Sequence, residues 1–336
     1  MSFLIVLIGI SFCTATSLIL INKKIMNNYG FECPTFLTTY HFLLSAILLE
    51  IMGRLKLFQI NKVVPTIERW STAAFGVGSI VFLNINLKVN SIGFYQLSKL
   101  CNIPMMVVYK YIVKHQTTPV ESLISLAVLL VGMALFTVND VQFNVPGAIV
   151  ALIAVTSTTV FQSRQAYMQQ EYSITGPQLN HLVAFPEFVI GITASFILET
   201  RGEKGIFNHK FQYPNEILLI LLTGVFAVYG NIIGFIMIGK TGPVTFQVIG
   251  HTKTILIFIF GLIMFPPTKV ETHQQKVKKI AGLVVSMIGV ISYTFFELRI
   301  KSREKLEQTK LLPKPEEVEE RSDPETLFKQ TEENDI

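Results

Sequence analysis

Apolar residues run through this chain in long blocks rather than at strand or half-buried-helix intervals, and charged and turn-forming residues collect in the short gaps between the blocks. A block of about 20 apolar residues is what an α-helix needs to cross a bilayer. Helices satisfy their own backbone groups in hydrocarbon, and no alternating barrel pattern competes with them here. The pattern predicts ten spanning helices, at about 3–21, 35–52, 70–87, 90–113, 120–138, 146–167, 177–198, 216–238, 242–265 and 277–296. Gly30 and Pro34 break the first pair, Asn139-Asp140 follows the fifth helix and Pro266-Pro267 the ninth. The first block lacks a basic leader and a small-x-small cleavage site, so it reads as a helix rather than a signal peptide.

Two of the ten carry a lysine near the middle, Lys99 in the fourth and Lys253 in the ninth, each preceded by a glutamine, Gln96 and Gln247. Each is the fourth of a set of five, the weak internal symmetry of a duplicated transporter. Because five is odd, the halves, 1–140 and 141–300, enter the membrane in opposite orientation, with the substrate between them near the midplane. The expected fold is therefore an all-α membrane protein of two inverted five-helix repeats. The polar segment 301–336, richer in acidic than basic residues, is expected to be a disordered cytosolic tail. Its Glu307-Gln-Thr-Lys-Leu311-Leu312 fits an acidic dileucine sorting pattern.

Composition agrees with a membrane protein: of 336 residues, 50% are hydrophobic and only 15% charged, against about 25% charged in soluble domains. The net charge of +5 forms no basic stripe interleaved with exposed aromatics, which argues against nucleic acid. The basic residues sit in loops and are more numerous on the side of the termini, which places the termini in the cytosol. The lone Trp70 stands at a helix mouth, at headgroup level. Cys13, Cys33 and Cys101 form no Cys-x-x-Cys and no zinc spacing with histidine. No nucleophile elbow, phosphate loop, dinucleotide fingerprint or zinc-protease motif occurs, so neither an enzyme, a cofactor nor a metal is expected.

A lysine at the bilayer centre costs about 2.5–3.5 kcal/mol on insertion scales, so it is kept where an anion, a partner or water meets it. Tyr95, Gln96, Lys99 and Asn102 fall on one helical stripe, as a water-filled cavity for a phosphorylated ligand would require. In the ninth helix Gly250 and Gly242 allow close approach to the backbone, and Lys253-Thr254 sets a cation beside a hydroxyl. Glu187, after Pro186, has three readings: ion pair to a lysine such as Lys99, contact to ribose hydroxyls, or proton coupling. His41, Tyr229 and Asn231 line the same cavity or hold helices together by hydrogen bonds, and His251 is a packing residue or a substrate contact.

The pattern Asn90-Ser91-x-Gly93-Phe94-x-Gln96-x-x-Lys99…Pro104, with Gly242-Pro243-x-Thr245-x-Gln247-Val248-x-Gly250-His251-x-Lys253-Thr254, resembles the triose-phosphate translocator and nucleotide-sugar transporter family of the drug/metabolite transporter superfamily. Within it the Lys-Thr pair resembles the subgroup that includes plant Golgi UDP-sugar transporters, and subfamily E of the animal solute carrier family 35. The resemblance implies that Lys99 and Lys253 bind substrate phosphate and that transport is antiport, a nucleotide sugar for a nucleoside monophosphate. Plastid triose-phosphate carriers have arginine after the second lysine. Thr254 stands there, which argues against a small phosphate as substrate. A sugar-phosphate/phosphate antiporter, a proton-coupled exporter working through Glu187 and a non-transporting receptor working through its tail are the alternatives. The Golgi is the expected residence, with endosomes and a homodimer left open.

Overall fold

The structure is a computed structural model and describes residues 2–60, 64–90, 92–137, 145–201, 205–264 and 273–311. Among the described residues every regular element is helical: α1 (Ser2–Tyr29), α2 (Pro34–Arg54), α3 (Thr66–Val89), α4 (Ile92–Leu100), α5 (Asn102–Lys114), α6 (Val120–Thr137), α7 (Val145–Glu171), α8 (Gly176–Glu199), a 3-10 turn (Ile206–Asn208), α9 (Asn215–Thr241), α10 (Pro243–Met264) and α11 (His273–Leu311). Seven of them, α1, α2, α3, α7, α8, α9 and α11, contain stretches long and apolar enough to cross a membrane.

The elements depart from the hydropathy blocks where helix geometry and bilayer thickness are different constraints. The block 90–113 is not one helix. Pro104 has no N–H for the Leu100 carbonyl and its ring crowds that carbonyl, so α4 stops at Leu100 and the Cys101 N–H turns back to the Ser98 carbonyl at 3.1 Å. Helix α1 runs past Lys23 and Lys24 to Tyr29 and ends only where Gly30 takes φ +68°. At the other end α11 continues through 301–311, so the first part of the expected disordered tail is helical. Residues 312–336, including Leu312 of the dileucine pattern, lie outside the described residues. A polar sequence cannot span a bilayer, but it can extend a helix beyond one.

Helix α3 packs on α7 and α1 on α9; α3 lies on α8 and α2 on α9; α2 packs on α8, α5 on α10 and α6 on α11. At α2 and α8 the Thr39 and Ser195 hydroxyls are 3.0 Å apart, with Gly191 leaving room for Thr39. The α6/α11 crossing is tighter: a Cβ on Gly132 would sit 2.7 Å from Ser286 Cα, and one on Gly289 would sit 2.6 Å from Leu129 Cα. Around that crossing Leu100, Ile103, Leu129, Val248 and Ile255 share one apolar core, which brings the α4–α5 break beside α10.

A buried carboxylate ties the far end of α8 to the start of α2. Glu199 accepts from the Thr35 N–H at 2.8 Å and the Phe36 N–H at 2.7 Å. Pro34 at the helix start has no N–H, and the next two N–H groups of α2 are thereby satisfied, by an anion at the positive end of the helix dipole. Glu199→Ala is expected to cost about 2 kcal/mol, the upper range for loss of a cap, read as a lower melting temperature of the detergent-purified chain with transport per folded molecule retained.

Candidate functional site

The α4–α5 break presents Lys99 and Asn102 on either side of Cys101. The Lys99 ammonium lies 5.4 Å from the centre of the Tyr95 ring, one turn earlier on α4, where the ring face attracts a cation. Asn102, the first residue of α5, is buried, and its Oδ1 has no donor among the described residues. Across the interface on α10, His251 is buried within electrostatic range of Lys99, and its Nε2 has no partner among the described residues. An acceptor on α5, a ring nitrogen on α10 and a cation on α4 are thus brought near one another.

Helix α10 supplies the second cation. Lys253 Nζ donates to Ser11 Oγ of α1 at 2.8 Å, and Gln247 Nε2 donates to Gln162 Oε1 of α7 at 3.0 Å. Gly250 lies between them, and a Cβ there would meet nothing within 4 Å. Open space beside the backbone is where a ligand could approach, whereas Gly242 serves the one-residue turn into α10 with φ +84°. Gly250→Ala is expected to leave the melting temperature unchanged and to raise the KM for substrate several-fold, measured by uptake into liposomes. A fall in stability instead would mean that the space is filled.

Among the described residues neither Lys99 nor Lys253 pairs with a carboxylate. The neutralisation of Lys99 by Glu187, one of the alternatives read from the sequence, does not form. Glu187 is 2% exposed, its Oε1 lying against Gly76 of α3 beside the Phe161 ring of α7, without ion pair or hydrogen bond among the described residues. Tyr229 also falls outside the expected cavity. It is 58% exposed and continues the outward stripe of Leu218, Leu222 and Val225 on α9, because one residue past buried Val228 the helix has turned about 100°. Asn231 is half-buried on the same helix. His41 holds α2 to α9 through the Thr223 hydroxyl at 3.1 Å. The side chains of Gln96 and Thr254 lie outside the described residues.

Sequence reasoning missed Ser11 and Gln162. Ser11 is an isolated hydroxyl in an apolar block, and no spacing within α1 signals a partner 242 positions away on α10. Only the fold reveals it.

The bundle differs at its two ends. Where α3 ends and α7 begins, Asn90 Nδ2 donates to Asn86 Oδ1 at 2.7 Å and to the Gly147 carbonyl at 3.0 Å, while Asn86 Nδ2 donates to Ser98 Oγ at 2.9 Å. This polar clasp ties α3, α4 and α7 together. Where α5, α7 and α9 end, a cavity of ≈ 210 Å³ lies against Tyr109, Lys110, Gln170, Thr245 and Tyr293. It is smaller than the roughly 300–1,000 Å³ of usual ligand sites, and Thr245 is about 12 Å along α10 from Lys253 at 1.5 Å per residue.

Comparison with known proteins bears on what the lysines hold. The Triose-phosphate Transporter family matches residues 2–294. UDP-xylose transporter 1 of Arabidopsis thaliana is 31% identical over 293 residues, 85% of this chain and 82% of that one. UDP-rhamnose/UDP-galactose transporter 3 of the same plant is 33% identical over 290 residues, 84% of this chain and 79% of its own. A solved crystal structure superposes with a TM-score of 0.62 over 88% of this chain and 97% of that one at 13% identity, which is a likeness of fold.

Proposed function

Because this chain belongs to the triose-phosphate transporter family, we propose that it is a nucleotide-sugar antiporter that exchanges a UDP-sugar for a nucleoside monophosphate by alternating access. It is a multi-pass membrane transporter, not an enzyme. The observation that carries the substrate reading is that two lysines set in apolar stretches, Lys99 and Lys253, have aromatic and hydroxyl partners but, among the described residues, no carboxylate. A diphosphate supplies the missing negative charge. Relatives about 30% identical along most of their length are UDP-sugar transporters, and Thr254 in place of arginine favours the longer ligand over a small phosphate.

Packing supports the duplicated architecture. With α4 and α5 counted as one span there are ten. Exchanging the first five spans for the last five turns the α3/α7 contact into α9/α1 and the α3/α8 contact into α9/α2, and leaves α2/α8, α5/α10 and α6/α11 in place. Residues 1–140 and 141–300 are the repeats on this reading. Ten spans return both termini to one side, the cytosol by the excess of basic loop residues, in a membrane of the Golgi as for the plant carriers the Lys-Thr pair resembles.

Exchange follows from charge. Two ammonium groups in an empty, closing site are desolvated without compensation, so the occupied carrier reorients more readily than the empty one. UMP and a UDP-sugar bring similar charge and substitute for each other. In liposomes containing the purified chain, UDP-xylose uptake is expected only when the lumen is preloaded with UMP, with inhibition by external UMP and not by inorganic phosphate. Equal uptake into empty liposomes would sink the exchange mechanism, and competition by inorganic phosphate but not by UMP would transfer the chain to the phosphate antiporters.

A further inference from the structure

A second cleft, of ≈ 550 Å³, opens on the surface of the bundle between the end of α2 and the starts of α3 and α8. Its polarity is graded with depth. Glu50, Arg69, Trp70 and His181 line it within about one and a half turns of the ends of their helices, at the membrane boundary. Leu43, Ile47 and Phe185 line it further in, and Ile47 and Phe185 are exposed. The cleft therefore starts at headgroup level and runs into hydrocarbon depth, with Trp70 in the layer an indole prefers.

Its charges leave one cation without a carboxylate among the described residues. Glu50 is taken up by Arg54 and His181, each at 2.8 Å. Arg69 gives one N–H to Thr66 Oγ1 at 2.8 Å and, among the described residues, pairs with no carboxylate. A guanidinium that no carboxylate neutralises matches phosphate oxygens in geometry and charge.

We propose that this cleft seats a glycerophospholipid of the adjacent leaflet, its phosphodiester on Arg69 and the first stretch of one acyl chain along Leu43, Ile47 and Phe185. A soluble phosphate would use the Arg69 donor and leave the apolar wall to bulk lipid; a lipid without phosphate would do the reverse. Only a phospholipid engages both parts. The site is independent of the transport reading, because it needs only the membrane placement of α2, α3 and α8.

Trp70 is the chain's only tryptophan and lines the cleft, so its emission reports occupancy. The full chain in brominated-detergent micelles, where the indole is quenched, is titrated with unbrominated phosphatidylcholine or with diacylglycerol of the same chains. Saturable recovery of emission is expected with phosphatidylcholine, with diacylglycerol needing at least tenfold more. Arg69→Gln should move the phosphatidylcholine midpoint about tenfold towards that of diacylglycerol and leave the diacylglycerol titration as it was. Recovery that grows linearly with both lipids and is indifferent to Arg69→Gln would overturn the proposal. The diacylglycerol comparison on the unaltered chain decides it even if the variant fails to fold.

Discussion

Lys99→Ala and Lys253→Ala should each reduce exchange of UDP-sugar for UMP by about two orders of magnitude, with correctly inserted, monodisperse protein. Removing one member of a desolvated charge-assisted contact costs 2–5 kcal/mol or more, and each 1.4 kcal/mol is tenfold. The two effects should not add in the double variant if, as proposed, both lysines act on one ligand. Lys253→Arg keeps the charge, but its planar fork cannot reproduce the single contact of the ammonium to Ser11, so partial activity is expected. Ser11→Ala removes a neutral hydrogen bond of about 1 kcal/mol and should raise KM less than tenfold. Counterflow with radiolabelled UDP-xylose measures all five. Normal exchange in both alanine variants would leave the paired-cation reading without foundation.

The lysines were legible because charge inside an apolar block is conspicuous whatever the fold. So were most of the helices, since blocks of spanning length admit few other structures. What could not be read is whatever depends on the rotation of one helix against another. Tyr229 and Asn231 are two residues apart in an unbroken apolar block, and nothing in that block says which side meets lipid; the stripe of Leu218, Leu222 and Val225 becomes visible only when the neighbours of α9 are known. Glu187 was read correctly as a buried ionisable group and wrongly as the obvious partner of Lys99, because sequence places it at a depth but not at an azimuth, and its azimuth is towards Gly76 and Phe161. The break at Leu100 had a local cause, Pro104, but a proline within a span permits a kink or a stop. The structure takes the stop, which turns Lys99 into the last turn of a short helix, next to Asn102 at the start of another.

Gly132→Leu should be the most damaging single change to the fold outside the site. At the α6/α11 crossing the two backbones touch: the position of a Cβ on Gly132 is filled by the Ser286 backbone and the Gly282 carbonyl, and that on Gly289 by the Leu129 backbone. Each helix thus contributes a glycine that admits the other's main chain, the close approach on which packing in a membrane relies when no hydrophobic driving force separates helix from lipid. Overpacking a core costs about 1–3 kcal/mol when side chains can yield. Here the obstructing atoms are main chain, so the cost should reach the top of that range or exceed it, as a lower melting temperature and aggregated material on size exclusion. Gly289→Leu should do the same, and the pair should cost less than the sum, since the first already separates the helices. Gly9→Ala, where a Cβ meets nothing within 4 Å, should be silent. This crossing packs against Leu100, Ile103 and Val248, so parting it also loosens the support of both lysine helices. Residual Gly132→Leu protein should therefore bind UDP-sugar weakly even where it stays in the membrane, whereas Lys253→Ala protein should be as stable as the parent and fail only in exchange.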